Sequence, residues 1–359
     1  MTFTTQDLRI EKIKSLRTPE ELERLFPLLD DDKKKINSFR KTVNDIFDGK
    51  DNRLLAIVGP CSIHDTNAAL EYARKLKKLS EEVSDEFFVV MRTYFEKPRT
   101  ALGWKGLITD PFMDESYDID KGLEICRRLL LDITRIGLPV GCECLDPIVP
   151  QYTDELMSWS SIGARTTESQ THRSLASGLS VAVGFKNSTS GDYMAAINAA
   201  KSAREGASFI GVERDGKIAQ YVTSGNPYTH IILRGGVHGP NYYENDVESA
   251  EKDMIKASLE PRIVIDCSHA NSNKDYRRQK RVLRSVIDQK VWGNKSIKGF
   301  MLESFLKEGN QKIISDKSSL EYGVSVTDPC IGWDETERIL KHAASILRES
   351  RKKGEEEVL

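Results

Sequence analysis

The chain has 359 residues, 39% hydrophobic and 30% charged, with a formal net charge of −2. This length suits one barrel-sized unit with extensions better than two ordinary domains, and the near-neutral charge leaves no nucleic-acid footprint. No run of about 18 apolar residues is present, so no membrane-spanning helix is expected.

The N-terminus, Met1 to Asp7, has neither a basic region nor an apolar one, so no secretory signal is expected. Six cysteines without paired spacing are no disulfide framework, and they point to reduced thiols and a cytoplasmic setting. Cys142 and Cys144 flank Gly-Glu; on a strand both sulfurs share one face, turned away from Glu143, and read as small buried thiols.

Residues 1–50 are charged and helical in pattern, with Leu22, Leu25, Phe26, Ile36, Phe39, Val43 and Ile46 as the apolar positions. They precede the first strong strand and so form an N-terminal extension. From residue 51 to 350 the pattern alternates. Short β-rich runs occur at Leu54–Val58, Phe87–Met91, Pro139–Cys142, Ser161–Ala164, Val181–Phe185, His230–Leu233, Arg262–Ile265 and Ile297–Leu302. Most gaps carry amphipathic helical spacing, as in Ala68-Tyr72-Leu76-Leu79, Leu123–Ile136, Ala195–Ala203 and Val282–Ile287. Apolar strands alternating with helices indicate a parallel sheet, and eight of them indicate a closed (β/α)8 TIM barrel of the α/β class. Phe209–Val212 and Ile218–Val222 flank Asp215-Gly216, a hairpin turn pair; these runs are either a hairpin inserted around 209–223 or the sixth strand itself. A closing helix is expected over Glu335–Arg348 with Asp334 as N-cap, followed by a charged, solvated tail over 351–359.

The strand ends carry the chemistry. In order they present Cys61, Arg92, Glu143, Arg165, Lys186, Arg234, His269 and Glu303. In a barrel all strand C-termini open on one face, where active sites lie. Arg92, Arg165, Lys186 and Arg234 are cationic, and Lys97 and Arg99 follow the second strand. Six cations in one mouth require anionic partners, and guanidinium forks suit phosphate and carboxylate. The loop Gly163-Ala-Arg-Thr-Thr167 can add backbone N–H groups, including that of Ala164. Cys61, His269 and Glu303 come from neighbouring strands, and Asp328 follows the eighth strand. Such a mixed set suits a divalent metal ion: Mn, Fe, Co or Zn rather than Mg or Ca. His64 reads as a loop-holding residue.

Seven ordered segments resemble the class I 3-deoxy-D-arabino-heptulosonate 7-phosphate (DAHP) synthases of the bacterial and yeast type. They are Gly59-Pro-Cys-Ser-Ile-His64, Arg92-Thr-Tyr-Phe-Glu-Lys-Pro-Arg-Thr100, Gly163-Ala-Arg-Thr-Thr-Glu-Ser-Gln170, Val183-Gly-Phe-Lys-Asn187, Ile232-Leu-Arg-Gly-Gly236, Asp266-Cys-Ser-His-Ala-Asn271 and Val326-Thr-Asp328. The resemblance implies condensation of phosphoenolpyruvate with erythrose 4-phosphate, the first step of the shikimate pathway. It makes Cys61, His269, Glu303 and Asp328 the metal ligands. It assigns Arg92 and Lys186 to the phosphoenolpyruvate carboxylate, and Arg165, Arg234 and the Ala164 N–H to its phosphate. Arg99 and Thr100 hold the erythrose phosphate, Lys97 transfers a proton, and Glu143 orients either water or Lys97.

The resemblance also implies feedback inhibition by an aromatic amino acid, and a homodimer or homotetramer with the extension crossing to a neighbour. The matching effector positions are Asp7, Ile10, Pro150, Gln151, Leu175, Leu179, Ser180, Phe209 and Gly211, the apolar ones being equally readable as core. Glycine at 211 leaves room for a phenol hydroxyl and favours tyrosine, whereas Tyr221 is able to refill that room. A synthase using arabinose 5-phosphate, a barrel aldolase acting on other sugar phosphates, and a non-catalytic amino-acid sensor are the competing readings.

Overall fold

The computed structural model describes residues 5–99, 102–314 and 316–356. Eight parallel strands close into a barrel: β1 (Leu54–Gly59), β2 (Phe87–Arg92), β3 (Val140–Glu143), β4 (Trp159–Ile162), β5 (Ala182–Lys186), β8 (Thr229–Leu233), β9 (Ile263–Asp266) and β10 (Ile297–Glu303). Around the wall the order is β1-β10-β9-β8-β5-β4-β3-β2. The intervening strands β6 (Ser208–Val212) and β7 (Ile218–Val222) form a separate antiparallel hairpin. The sixth barrel strand is therefore β8, and the 209–223 region is an insertion. Gly216, at φ +88°, supplies the left-handed residue of the hairpin turn.

The helices are α1 (Pro19–Leu25), α2 (Asp30–Phe47), α3 (Thr66–Glu82), α4 (Ile119–Ile136), the single turn α5 (Pro150–Thr153), α6 (Gln170–Ala176), α7 (Met194–Arg204), α8 (Glu244–Lys256), α9 (Gln279–Val291) and α10 (Trp333–Glu356). Local sequence starts several of them. Thr18 and Glu21 form a reciprocal capping box on α1, and Asp65 accepts the N–H groups of Asn67 and Ala68 at the start of α3. Gly137, at φ +97°, ends α4.

Three boundaries differ from expectation. Val43, Ile46 and Phe47 of α2 join Leu55, Ile57, Val90, Trp159, Ala182, Ile232, Val264 and Met301 in the barrel's inner core. The C-terminal end of α2 is thus a plug in the barrel floor, because eight inward-facing strand positions need a cap at their N-terminal end. Strand β4 stops at Ile162, two residues before the expected Ala164, because Thr166 and Thr167 both donate to Gly163 O at 3.0 Å and turn the chain. Helix α10 begins at Trp333, placing Asp334 in its first turn, and continues to Glu356. The expected tail from Arg351 is largely helical, with Arg351 paired to the buried Glu86.

Candidate active site

Each strand end is held by its neighbours. Gln279 of α9 clamps the end of β10, its Nε2 donating to Glu303 O at 2.9 Å while its Oε1 accepts from Glu303 N at 2.8 Å. Ile331 N donates to Glu303 O at 3.0 Å, and Ser62 Oγ meets Thr327 Oγ1 at 2.6 Å. These bonds fasten the segment after β10 to the β1 loop and bring Asp328 beside Cys61. Three buried amides order the opposite side. Asn187 accepts from Arg234 N at 2.7 Å, Asn241 accepts from Gly235 N at 2.7 Å, and Asn271 donates to Asp266 O at 2.8 Å.

The mouth is a cavity of about 910 Å³ lined by Arg92, Lys97, Arg99, Glu143, Ala164, Arg165, Lys186, Arg234, His269, Glu303 and Asp328. The barrel therefore brings together every catalytic and substrate candidate of the sequence except two. Cys61 lies just beneath, bonded to Lys97, and Thr100 falls outside the described residues.

The cations at the base are dry and charge-compensated. Arg92 Nη2 donates to Glu303 Oε1 at 3.3 Å, and Lys186 Nζ donates to Glu143 Oε2 at 3.2 Å and lies 3.8 Å from Asp266 Oδ2. Both cations lie over the Tyr94 ring, at 4.1 and 5.4 Å from its centroid. Burial disfavours the Arg92 charge, but Tyr94, Glu303 and Asp266 outweigh it and its pKa rises. Burial pushes the Glu143 carboxyl up, while Lys186, Lys97 and Arg92 bring it below its ordinary value. Arg234 is lowered, first by burial and then against the attraction of Asp266 by the neighbouring Arg165 cation. Arg92 Nη1 is buried and, among the described residues, has no hydrogen-bond partner. A buried guanidinium nitrogen without an acceptor is costly unless an anion arrives to take it.

Beside this base, ligand atoms of Cys61, Glu303 and Asp328 lie within 4.8 Å of one another. The sequence expected His269 as a fourth member. Its Nε2 is 3.9 Å from Glu303 Oε1, at the edge of the three, while its Nδ1 is 3.0 Å from Asp266 Oδ2 and 2.7 Å from Ser268 Oγ. A carboxylate behind one imidazole nitrogen leaves the other directed at the cluster, the arrangement that orients metal-binding histidines. Lys97 Nζ sits among the donors, 2.8 Å from Cys61 Sγ and 2.7 Å from Asp328 Oδ2. An ammonium there stands in for positive charge that the donors attract. Asp328 is pushed up by burial but brought down further by Lys97, so it is ionised. Burial and Glu303 push the Cys61 thiol up to about 12, and a divalent cation would reverse that by binding the thiolate. Sulfur, imidazole and carboxylate donors in one place fit a borderline divalent metal.

Sequence reasoning missed Tyr94, Asp266 and Glu96. Tyr94 and Glu96 lay inside the second quoted segment, but nothing in one dimension shows that a phenol ring underlies two cations. Asp266 headed the sixth quoted segment, but nothing in one dimension shows that it backs both His269 and Lys186. Cys142 and Cys144 are buried thiols as expected, the first beside Thr93 Oγ1 and the second beside Ser160 Oγ, each at 3.1 Å. His172 bridges loops, with Nδ1 at 2.9 Å from Ser169 Oγ and Nε2 at 2.7 Å from Leu145 O.

The effector candidates lie away from the mouth. Pro150, Leu175 and Leu179 are buried, Gln151 and Phe209 half-buried, and Ser180 donates to Asp154 Oδ2 at 2.8 Å. Asp7 and Ile10 are exposed ahead of α1. The room expected above Gly211 is taken: a Cβ there would lie 2.8 Å from the Tyr221 ring, which stacks on Phe209 at 5.5 Å and donates to Val212 O at 3.0 Å.

A closed parallel barrel whose C-terminal mouth pairs a cationic, anion-seeking base with a metal-competent cluster defines an enzyme of small, multiply charged substrates. Known proteins narrow the class. The chain belongs to the DAHP synthetase I family, which matches residues 30–341. It is 54% identical to the Tyr-sensitive phospho-2-dehydro-3-deoxyheptonate aldolase of Escherichia coli K12, over 91% of each chain. It is 49% identical to the Phe-sensitive enzyme of the same organism, over 98% of this chain and all of that one, and 47% identical to the Trp-sensitive enzyme of Enterobacter agglomerans, over 94% and 96%. The solved phospho-2-dehydro-3-deoxyheptonate aldolase of Francisella tularensis SCHU S4 superposes with a TM-score of 0.92 at 45% identity, covering 94% of this chain and 98% of that one.

Proposed function

We propose that the chain condenses phosphoenolpyruvate with D-erythrose 4-phosphate and water to give DAHP and phosphate. The buried, anion-directed Arg92 beside the Cys61–Glu303–Asp328 cluster carries this reading. Arg92 and Lys186 bind the phosphoenolpyruvate carboxylate. Arg165, Arg234 and the Ala164 N–H bind its phosphate, and Arg99 and Thr100 hold the erythrose phosphate. Cys61, His269, Glu303 and Asp328 hold one divalent metal ion, Mn, Fe, Co or Zn, which supplies Lewis acidity toward the aldehyde oxygen.

Carbon 3 of phosphoenolpyruvate attacks the aldehyde carbon, water adds at carbon 2, and phosphate departs with carbon–oxygen cleavage. Lys97 Nζ, 2.8 Å from Cys61 Sγ and 2.7 Å from Asp328 Oδ2, is placed to donate a proton to the aldehyde oxygen as that oxygen gains charge. Glu143, ionised by Lys186, accepts a hydrogen bond from the attacking water. Much of the acceleration is positioning, since the buried cations hold two anions that repel in solution.

Assays of the metal-reconstituted enzyme should show turnover of erythrose 4-phosphate well above arabinose 5-phosphate. Cys61→Ala should lose at least about 100-fold in kcat/KM, an expectation scaled on loss of a metal-shell residue. Preferred turnover of arabinose 5-phosphate, or full activity in the variant, would reject the reading.

The names of the relatives at 54% and 52% identity support tyrosine as the effector, and the positions proposed for its pocket are Asp7, Ile10, Pro150, Gln151, Leu175, Leu179, Ser180, Phe209 and Gly211, with Tyr221 filling the space directly over Gly211. A homodimer or homotetramer is supported by exposed Leu8, Ile10 and Ile13 ahead of α1 and by Ile210, Ile218 and Val222 on one face of the hairpin. The setting proposed is cytoplasmic, without nucleic-acid or membrane partners; among the described residues no helix is long and apolar enough to cross a membrane.

A further inference from the structure

We propose that Lys274 is a substrate-binding residue that grips the phosphate of the aldose together with Arg99, closing a clamp across the metal-competent cluster. The inference rests on the reaction proposed above.

The cations of the mouth differ in their surroundings, with Arg165 exposed and Arg234 half-buried between the extremes. Arg92 and Lys186 are buried at the base against Glu303, Glu143 and Asp266, and Lys97 is held on Asp328. Arg99 and Lys274 are exposed at the rim of the same cavity. Among the described residues neither forms an ion pair with a carboxylate. Two cations that face one cavity, neither ion-paired to a carboxylate among the described residues, are placed to draw an anion between them. With Arg92 and Lys186 taken by the phosphoenolpyruvate carboxylate and Arg165 and Arg234 by its phosphate, a second phosphate falls to Arg99 and Lys274.

Their placement gives the clamp its direction. Arg99 follows β2 and Lys274 follows β9, and the wall between them consists of β10 and β1. Those two strands carry Glu303 and lead to Cys61. Three inter-strand steps of about 4.8 Å separate the two starting points, roughly 14 Å along the wall, which two long side chains converging on one phosphate can bridge. A phosphate held there lies above the cluster, with its carbon chain directed down toward it.

The backbone under Lys274 is fixed at a cost. Lys274 has φ +60°, Asn273 +53° and His269 +55°, three left-handed non-glycine residues within six positions. Such conformations persist where the surroundings impose them, often at functional sites. Here Lys274 N donates to His269 O at 2.7 Å, and Asn273 N to Ala270 O at 3.0 Å. One tight turn thus joins the histidine at the metal cluster to the lysine at the rim and sets both at once.

Steady-state kinetics on the metal-loaded enzyme test this with Lys274→Ala, Lys274→Gly and Lys274→Arg. Glycine is at ease at this φ, so that variant does not strain the turn. In the alanine and glycine variants KM for erythrose 4-phosphate should rise roughly tenfold, the scale of one partly solvated charged hydrogen bond, with KM for phosphoenolpyruvate within about twofold. Arginine should recover most of the loss, and the deficit should vanish with unphosphorylated erythrose as acceptor. Unchanged KM for erythrose 4-phosphate in both variants overturns the assignment, as does a deficit of equal size with unphosphorylated erythrose. A wild-type enzyme inactive on this substrate pair would instead overturn the reaction on which the inference stands.

Discussion

Glu96 shows how a single side chain here is set by what surrounds it. It precedes Lys97, is 7% exposed, and its carboxyl accepts the N–H groups of Asp146 at 3.2 Å and Leu145 at 3.4 Å. Burial, then the charge of Asp146, pushes its pKa up to about 8. An unfolded glutamate titrates near ~4.3. Between these values the unfolded chain has released a proton that the folded chain keeps, so this group lowers stability progressively as pH rises from about 4.3 to about 8. Glu96→Gln keeps one acceptor oxygen, which can serve Asp146 N, and removes the ionisation. Differential scanning fluorimetry should find its Tm a few degrees above wild type at pH 8.5, about 2–4 °C per kcal/mol, and level with it at pH 4.5; a pH-independent difference would contradict the assignment. His230 works in the opposite range. Burial lowers its pKa to about 3, and its Nε2 accepts from Trp159 Nε1 at 3.1 Å. Its stabilising neutral form is fully present above about 6.5, and the contribution is lost as pH falls from there toward 3. His230→Gln should flatten the acid limb of the Tm–pH curve between pH 6.5 and 4, and an unchanged limb would rule out His230 as a contributor.

Among the elements, α2 and the segment before α1 were one extension by pattern, yet they have different physical standing. Phe47 of α2 is fully buried and its ring centroid lies 4.3 Å from that of His230. Removing it opens a cavity in the barrel floor, so Phe47→Ala should cost about 3–5 kcal/mol by denaturant titration. A loss below about 1 kcal/mol would mean that α2 does not plug the barrel. Residues 5–16 are exposed nearly throughout. Deleting residues 1–16 should therefore leave the barrel folded with near-native circular dichroism while abolishing the tyrosine inhibition proposed above. Retained inhibition would remove Asp7 and Ile10 from the effector site. Arg17 must stay, since it donates to Asp120 and Glu124 of α4 at 2.8 Å each.

At the scale of the whole molecule, a net charge of −2 coexists with a strongly cationic mouth. Arg92 and Lys186 are buried with their carboxylates and are weakly screened, whereas Arg99 and Lys274 face solvent. Raising salt from 50 to 300 mM should thus raise KM for the aldose phosphate more than KM for phosphoenolpyruvate; equal shifts would argue against a base-and-rim division. The hairpin adds an assembly prediction. Antiparallel pairing places Ile210, Val222 and Ile218 on one face, each at least 78% exposed, and Phe209 and Tyr221 on the other. Ile210→Glu with Ile218→Glu should shift the protein toward monomer in sedimentation velocity without lowering the Tm of the barrel. An unchanged oligomer would place the contact elsewhere.

The sequence by itself determined the periodic and the local. Eight apolar runs, the helical gaps and the reactive residue at each strand end were readable because strand and helix spacing and the common mouth of a barrel are general. It also carried Cys61, Glu303 and Asp328 as neighbours, since the first and last strands must meet on closure. Three decisions belonged to the tertiary structure. The hairpin or β8 as sixth strand depended on which run pairs with β5 and β9, a long-range hydrogen-bonding choice. The space over Gly211 depended on the Tyr221 ring across the hairpin rather than on the missing side chain. The contrast between Arg92 and Lys186, buried against carboxylates such as Asp266, and the exposed Arg99 and Lys274 depended on burial and on groups that reach the site only when the barrel closes. Periodicity repeats along the chain and is legible there; occupancy of space and pairing of charge are set by residues far apart in sequence.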